Sequence, residues 1–141
     1  MNEVGPRSNG PLIEARGLNK NFGPIPALAG VDLELAGGQV IGLLGENGCG
    51  KTTLLKVLAG VMQDHAGHVR IAGRRLGPET KACVSFLPDA SYLKDSATVS
   101  QCIGMFSDFF SDFRADKASD MIKFFGLAEN MKLKQMSKGM R

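Results

Sequence analysis

The sequence has no long apolar run, no paired cysteines and no block of charge of one sign. A membrane-spanning helix needs about 18 or more consecutive apolar residues; because no segment comes near that length, we expect any membrane role to depend on a partner. Three cysteines without paired spacing, Cys49, Cys83 and Cys102, predict reduced thiols in a cytoplasmic protein. The 17 basic and 14 acidic residues are dispersed, which argues against a nucleic-acid-binding arm or a polybasic membrane anchor.

The chain changes character along its length. Residues 1–11 are rich in Gly, Pro, Ser and Asn and contain no apolar core, so we expect a flexible tail and not a signal peptide. Residues 12–90 carry mainly strand patterns, and residues 91–141 carry mainly helical ones. This order predicts an α/β core followed by a helical subdomain.

Five segments have the patterns of strands. Alternation of apolar and polar residues is weak in Leu12–Phe22 and clear in Leu28–Leu35, as expected of half-buried strands. Val40–Leu44 is continuously apolar, which predicts a strand buried on both faces of a sheet. His68–Ala72 and Cys83–Leu87 are two further short apolar segments that we expect to be strands.

Three segments have the patterns of helices. Thr52–Ala59 has a helical apolar face. Thr98 and Gln101 form a capping-box pattern at the start of a second helix. Asp116–Phe125 has apolar residues at helical spacing and is followed by Gly126, a helix stop. The residues expected on the inward side of the first helix are Leu54, Leu55 and Leu58.

The strongest motif follows the Val40–Leu44 run. The consensus G-x-x-x-x-G-K-[ST] of phosphate-binding loops is matched by Gly45-Glu46-Asn47-Gly48-Cys49-Gly50-Lys51-Thr52. We call Gly45–Thr52 the phosphate loop. The alternative is a glycine turn that precedes a lysine by chance, but the predicted strand before the motif and the predicted helix after it favour phosphate binding.

Each position of the phosphate loop has a physical reason. Glycines lack a Cβ, so backbone N–H groups can approach a triphosphate closely. Lys51 is expected to reach the β- and γ-phosphates, and the Thr52 hydroxyl is the expected Mg²⁺ ligand. Thr53, in the first turn of the helix, completes the predicted nucleotide-binding set. The loop therefore predicts binding of a nucleoside triphosphate, most simply ATP, with Mg²⁺.

With these motifs in this order, the chain resembles an ATP-binding subunit of an ABC transporter of the bacterial exporter type, from about Leu12 to Arg141. The resemblance implies the P-loop ATPase fold of that family, with an antiparallel β subdomain and a helical subdomain. It places Phe22 where the family stacks an aromatic ring on adenine; packing in the core or in a loop is the alternative role. It also places Ser137 and Gly139 in the family's signature segment, which closes on the γ-phosphate held by a second subunit, although a plain helix cap is possible.

One position departs from the family pattern. The family has a glutamine after the strand that ends in Leu87-Pro88, and here the residue is Asp89. A carboxylate can coordinate Mg²⁺, so the resemblance implies a metal-proximal role for Asp89. The amide donor of glutamine is lost, which puts its coupling role in doubt. The alternative is a Pro-Asp turn without a ligand.

The family's Walker B strand, with its magnesium-binding and catalytic acids, is not found before Arg141. We therefore expect a fragment or a truncated chain, incomplete at the C-terminus and without assigned catalytic residues. Weak or absent ATPase activity follows for the chain alone, since nothing visible positions the attacking water. Without that strand, Val40–Leu44 would present an unpaired edge prone to aggregation.

The resemblance implies an ATPase at the inner face of the cell membrane, paired with a second ATP-binding subunit and with separate transmembrane permease subunits, without nucleic acid. Two other functions stay open: a soluble ABC-type ATPase acting on nucleic acid or ribosomes, and a nucleotide-binding module without catalysis. His65 and His68 have a spacing that can bind metal, but without a third ligand nearby we expect a solvated loop. The phenylalanines between Phe106 and Phe125 are expected to form the core of the helical subdomain, with one or two exposed for a membrane partner.

Overall fold

The computed structural model describes residues 10–88, 93–137 and 139–140. The chain divides into two units, one that ends at Leu87 and one that begins at Pro88. Most of the predicted tail, residues 1–9, and Asp89 lie outside the described residues.

The first unit is built on a four-stranded antiparallel sheet. Its strands are β1 (Ile13–Phe22), β2 (Ile25–Leu35), β3 (Ala66–Ile71) and β4 (Arg74–Arg75), in the order β2-β1-β3-β4. This confirms three of the five predicted strands. Alternation along β1 is interrupted by a register shift between Ala15 and Leu18, where Gly17 has a φ of 57°. The bulge returns Leu18 to the buried face, because an extra residue resets the two-residue period.

Helix α1 (Lys51–Leu58) covers the inner face of this sheet. Leu54, Val57 and Leu58 are buried with residues of β1, β2 and β3 in one apolar core. The prediction that Leu55 points inward is wrong, since 48% of this residue is exposed. Positions three and four apart share a helix face, so the buried stripe runs through Leu54, Val57 and Leu58 and leaves Leu55 outside it.

Two predicted strands are absent from the described part of the chain. Val40–Leu44 has no strand conformation, and Val40 and Leu44 are almost fully exposed. Cys83–Leu87 is also irregular. A strand is held by hydrogen bonds to neighbours, and no described strand lies beside either segment. The prediction of strands at these two segments is therefore wrong: an apolar run alone does not form a strand without a neighbour to pair with.

The second unit is helical, as predicted. Helix α3 (Val99–Phe109) begins with the predicted capping box: Thr98 Oγ1 accepts from Gln101 N at 3.2 Å, and Gln101 Oε1 accepts from Thr98 N at 2.9 Å. Helix α4 (Ala115–Phe124) is followed by Gly126, whose φ is 67°. A short 3₁₀ helix, Leu133–Gln135, was not predicted. The small core of this unit consists of Val99, Leu133 and Met136.

Two minor features complete the described structure. A four-residue helix, α2 (Pro78–Lys81), follows β4 in the first unit. In α4, hydrogen bonds from the Arg114 guanidinium hold the pKa of Asp116 at about 2. Among the described residues, no helix is long and apolar enough to cross a membrane.

Candidate nucleotide-binding site

The backbone of the phosphate loop has the conformation that its glycines predict. Gly45, Gly48 and Gly50 have φ angles of 154°, 85° and 93°, a region that residues with a Cβ rarely adopt. Gly50 is also fixed by packing, because a Cβ at this position would overlap the carbonyl oxygen of Ala27 in β2. The loop is therefore held against the sheet at the point where α1 begins.

The side chain of Lys51 folds back into the phosphate loop. Its Nζ donates to the carbonyl oxygen of Gly45 at 2.8 Å and to that of Glu46 at 2.6 Å. The Cys49 Sγ lies 3.6 Å from the same Nζ. When a phosphate binds, the Lys51 ammonium can donate to phosphate oxygens in place of these carbonyl oxygens. Phosphate oxygens carry more negative charge, so the new hydrogen bonds would be stronger.

The N-terminus of α1 has no side-chain group that would compete with a bound anion. Its N-cap residue, Gly50, provides no side-chain hydrogen bond, and the first turn contains no acidic residue. The leading N–H groups and the helix dipole therefore favour a bound negative charge. Thr52 is exposed and Thr53 is half-buried in this turn.

The Thr52 hydroxyl suits a magnesium ion that is held mainly by phosphate and water. Mg²⁺ commonly takes one or two protein oxygens and completes its shell with water and substrate phosphates. Among the described residues, no group of three His, Cys, Asp or Glu side chains could hold a metal ion by itself. Asp89, the other predicted metal ligand, lies outside the described residues.

Phe22 lies at the end of the β1–β2 hairpin, opposite Ile25, and half of it is exposed. The Nζ of Lys20 lies 5.1 Å from the centroid of its ring. Lys20 is itself buried and donates to Asp64 at 2.7 Å, and this hydrogen bond lowers the pKa of Asp64. One face of the Phe22 ring thus makes a cation–π contact with Lys20.

The start of β2 connects Phe22 with the phosphate loop. Ile25 pairs with Phe22, and Ala27, which contacts Gly50, follows two residues later. Strand residues rise about 3.3 Å each. Ile25, which pairs with Phe22, and Ala27, which contacts Gly50, are therefore about 7 Å apart along β2. The hairpin therefore places an exposed ring at the same end of the unit as the loop.

Ser137 and Gly139, the predicted signature residues, lie in the second unit. Ser137 and Gly139 are both exposed, and the carbonyl of Ser137 accepts from Met140 N at 3.1 Å. This is turn geometry that directly follows the buried Met136. The intervening Lys138 lies outside the described residues.

The Lys20–Asp64 pair beside Phe22 was not predicted from the sequence. A signal was present, because Leu18 and Lys20 are two residues apart on β1 and share its buried face. A lysine on an inward position needs a partner for its charge. That requirement predicts an acid on a neighbouring element, and Asp64 lies just before β3.

A helix that begins at a glycine-rich loop and packs on a sheet, with a lysine folded into that loop, is the arrangement expected of a phosphate-binding loop. The family profile described as "ABC transporter" matches residues 28–141, and the chain belongs to this family.

Similar proteins include the ribose import ATP-binding protein RbsA of Cereibacter sphaeroides, 38% identical over 67% of this chain and 20% of that protein. The Fe(3+) ions import ATP-binding protein FbpC of Mesorhizobium japonicum is 32% identical over 82% of this chain and 34% of that protein. An uncharacterized ABC transporter ATP-binding protein of Methanocaldococcus jannaschii is 30% identical over 91% of this chain and 38% of that protein. The chain thus spans well under half the length of these relatives.

The fold comparison agrees with the family. A structure described as the ATP binding subunit of an ABC transporter superposes with a TM-score of 0.74 at 26% identity, covering 92% of this chain and 57% of that one. The cbiO1 protein of Clostridium perfringens shares the fold with a TM-score of 0.65 at 20% identity, over 93% of this chain and 57% of that one.

Proposed function

We propose that the chain binds ATP with Mg²⁺ as the nucleotide-binding part of an ABC transporter subunit. The observation that carries the proposal is the Lys51 ammonium, held by two carbonyls inside a loop whose glycines have positive φ. In this proposal Gly45–Gly50 and Thr53 surround the phosphates, and the Thr52 hydroxyl is a ligand of Mg²⁺. The ring of Phe22 stacks on the adenine.

Replacing Lys51 tests this function. A hydrogen bond to a charged group contributes about 1.5–3 kcal/mol, so Lys51→Ala should weaken the affinity for a fluorescent ATP analogue by roughly one to two orders of magnitude. Lys56→Ala, in the last turn of the same helix, is the matched control and should bind as the unchanged chain does. Equal affinities of the Lys51 variant and the unchanged chain would contradict the assignment.

Binding is better supported than turnover for this chain alone. Hydrolysis needs an acid or amide that orients the attacking water, and the sequence has no acid at the end of an apolar run of Walker B type. We infer that steady-state phosphate release by the chain is weak or absent. Phosphate release that disappears in Lys51→Ala would overturn this inference.

The proposed setting is a transporter at the inner face of the cell membrane. Two ATP-binding subunits would enclose the nucleotide, with Ser137 and Gly139 of one subunit facing the γ-phosphate of the other. Separate permease subunits would be the membrane partners. In the second unit, Phe109 and Phe124 are 78% and 84% exposed, and aromatic side chains of this kind are suited to contact another protein.

The direction of transport has two candidates. The Met136–Arg141 segment is the reason to propose export, because its S-K-G-M form resembles bacterial exporters with separate membrane subunits. Import is the second candidate, favoured by the names of the relatives of Cereibacter sphaeroides and Mesorhizobium japonicum. ATP-driven transport measured in inside-out vesicles with the cognate permease distinguishes them: uptake into the vesicle lumen supports export, and ATP-driven release supports import.

A further inference from the structure

The sheet of the first unit has a second concave site that shares no residue with the phosphate loop. It is a pocket of about 450 Å³. Ala15, Val69 and Ile71 of the same strands are buried in the apolar core, so the intervening polar residues lie on the opposite face of the sheet. The titratable side chains that line the pocket are Glu14, Arg16, His65, His68, Arg70 and Arg75.

Two of the pocket's guanidinium groups, those of Arg70 and Arg75, form no ion pair among the described residues, although Glu14 is opposite Arg70 across β1 and β3. Arg70 and Arg75 are directly opposite each other across β3 and β4, and like charges at such positions repel. In the part of the chain that the structure describes, neither forms an ion pair with a carboxylate; Arg70 donates only to the carbonyl of Gly73, at 3.3 Å. An anion bound between them would remove this repulsion.

The neighbouring arginines differ in this respect. Arg16 forms ion pairs with Glu34 and, at 3.4 Å, with Glu14. Arg74 pairs with Glu79 at 3.0 Å and does not line the pocket. Glu14, the acid in the lining, is therefore partly neutralised by Arg16. Arg70 and Arg75 are exposed and, among the described residues, are not ion-paired.

We propose that this pocket binds a small anion that carries a diphosphate group. A guanidinium can bind phosphate oxygens in pairs, so two adjacent arginines match two linked phosphates. The imidazoles of His65 and His68, which also line the pocket, can donate further hydrogen bonds. The pocket volume is within the range of about 300–1,000 Å³ that is typical of small-molecule sites. The diphosphate belongs either to a free metabolite or to a nucleotide.

The two histidines provide a direct probe. They are the only histidines of the chain, and both line the pocket. The experiment uses the Lys51→Ala chain, in which binding at the phosphate loop is weakened. We expect inorganic pyrophosphate to shift the imidazole C–H NMR signals of both histidines in a saturable way. Absence of a saturable shift at millimolar pyrophosphate would overturn the proposal, as would shifts produced only by an acidic peptide or an oligonucleotide.

Variants locate the site. Arg70→Gln and Arg75→Gln should each weaken pyrophosphate binding roughly tenfold, and Arg74→Gln, the matched control, should not change it. Equal effects of all three variants would show a general charge effect and contradict the site. Circular dichroism verifies folding, and the histidine shifts of the parent chain decide the question if an arginine variant fails to fold. Tighter binding of ADP than of pyrophosphate assigns the nucleotide source; equal affinity assigns a free diphosphate.

Discussion

At the scale of single residues, the phosphate loop depends on a contact that its consensus does not mention. Gly50 is both at positive φ and packed on the Ala27 carbonyl. Its lack of a side chain therefore serves the attachment of the loop to β2 as well as access for phosphate. Lys51, by contrast, acts through its charge, which the loop carbonyls hold in place.

Gly50→Ala should destabilise the first unit more than Gly48→Ala does. Both residues have positive φ, which disfavours alanine by about 1–2 kcal/mol. Only Gly50 adds an overlap with the backbone of Ala27; an ideal Cβ at Gly48 meets no atom within 4 Å. Urea unfolding should therefore show a loss of more than about 2 kcal/mol for Gly50→Ala and a smaller one for Gly48→Ala. Equal losses would mean that the Ala27 contact has no energetic role.

The residues of the site were predictable to different degrees. The phosphate loop was found from spacing alone, because the octet Gly45–Thr52 combines glycines, a lysine and a hydroxyl at fixed positions. Lys20 was not found, because its role comes from contacts with Asp64 and Phe22. The contact with Asp64 depends on the fold bringing together residues that are 44 positions apart in sequence.

At the scale of elements, local chemistry predicted more than apolar composition did. The capping pair Thr98 and Gln101 located the start of α3, and Gly126 located the end of α4, since these signals act within a few residues. The apolar runs Val40–Leu44 and Cys83–Leu87 suggested strands that are not observed. Strand formation requires a neighbour, which the composition of one segment cannot specify.

Thr98→Ala should destabilise the second unit by about 1 kcal/mol, the usual contribution of an N-cap side chain. The substitution removes the oxygen that accepts from Gln101 N. Ser100→Ala, which removes a hydroxyl from an exposed position of the same helix, is the control and should have little effect. Thermal unfolding followed by circular dichroism measures both; equal stability of Thr98→Ala and the unchanged chain would contradict a role for the cap.

At the scale of the whole molecule, an exposed apolar segment directly precedes the phosphate loop. Val40, Ile41, Leu43 and Leu44 are all exposed, directly before Gly45. Contiguous exposed apolar surface of this kind favours association with another surface. The loop is thus attached to the sheet through Gly50 on one side and preceded by an unpaired segment on the other.

Leu44→Glu should reduce concentration-dependent self-association of the chain. Leu44 is 92% exposed, so a charge there interrupts the apolar segment without opening a cavity in the core. Gln39→Glu adds the same charge beside the segment and keeps its apolar surface, which makes it the matched control. Light scattering over a dilution series should show less association for Leu44→Glu than for Gln39→Glu; indistinguishable behaviour would mean that the segment is not the contact surface.

The central claim is that the phosphate loop receives the phosphates of ATP. The most direct measurement is amide NMR of the chain with Mg²⁺ and either ATP or AMP. We predict that ATP shifts the amide signals of Gly45–Thr52, because their N–H groups donate to the β- and γ-phosphates, and that AMP, which lacks those phosphates, leaves them in place. ATP-dependent shifts that avoid this loop, or equal shifts with AMP, would contradict the account.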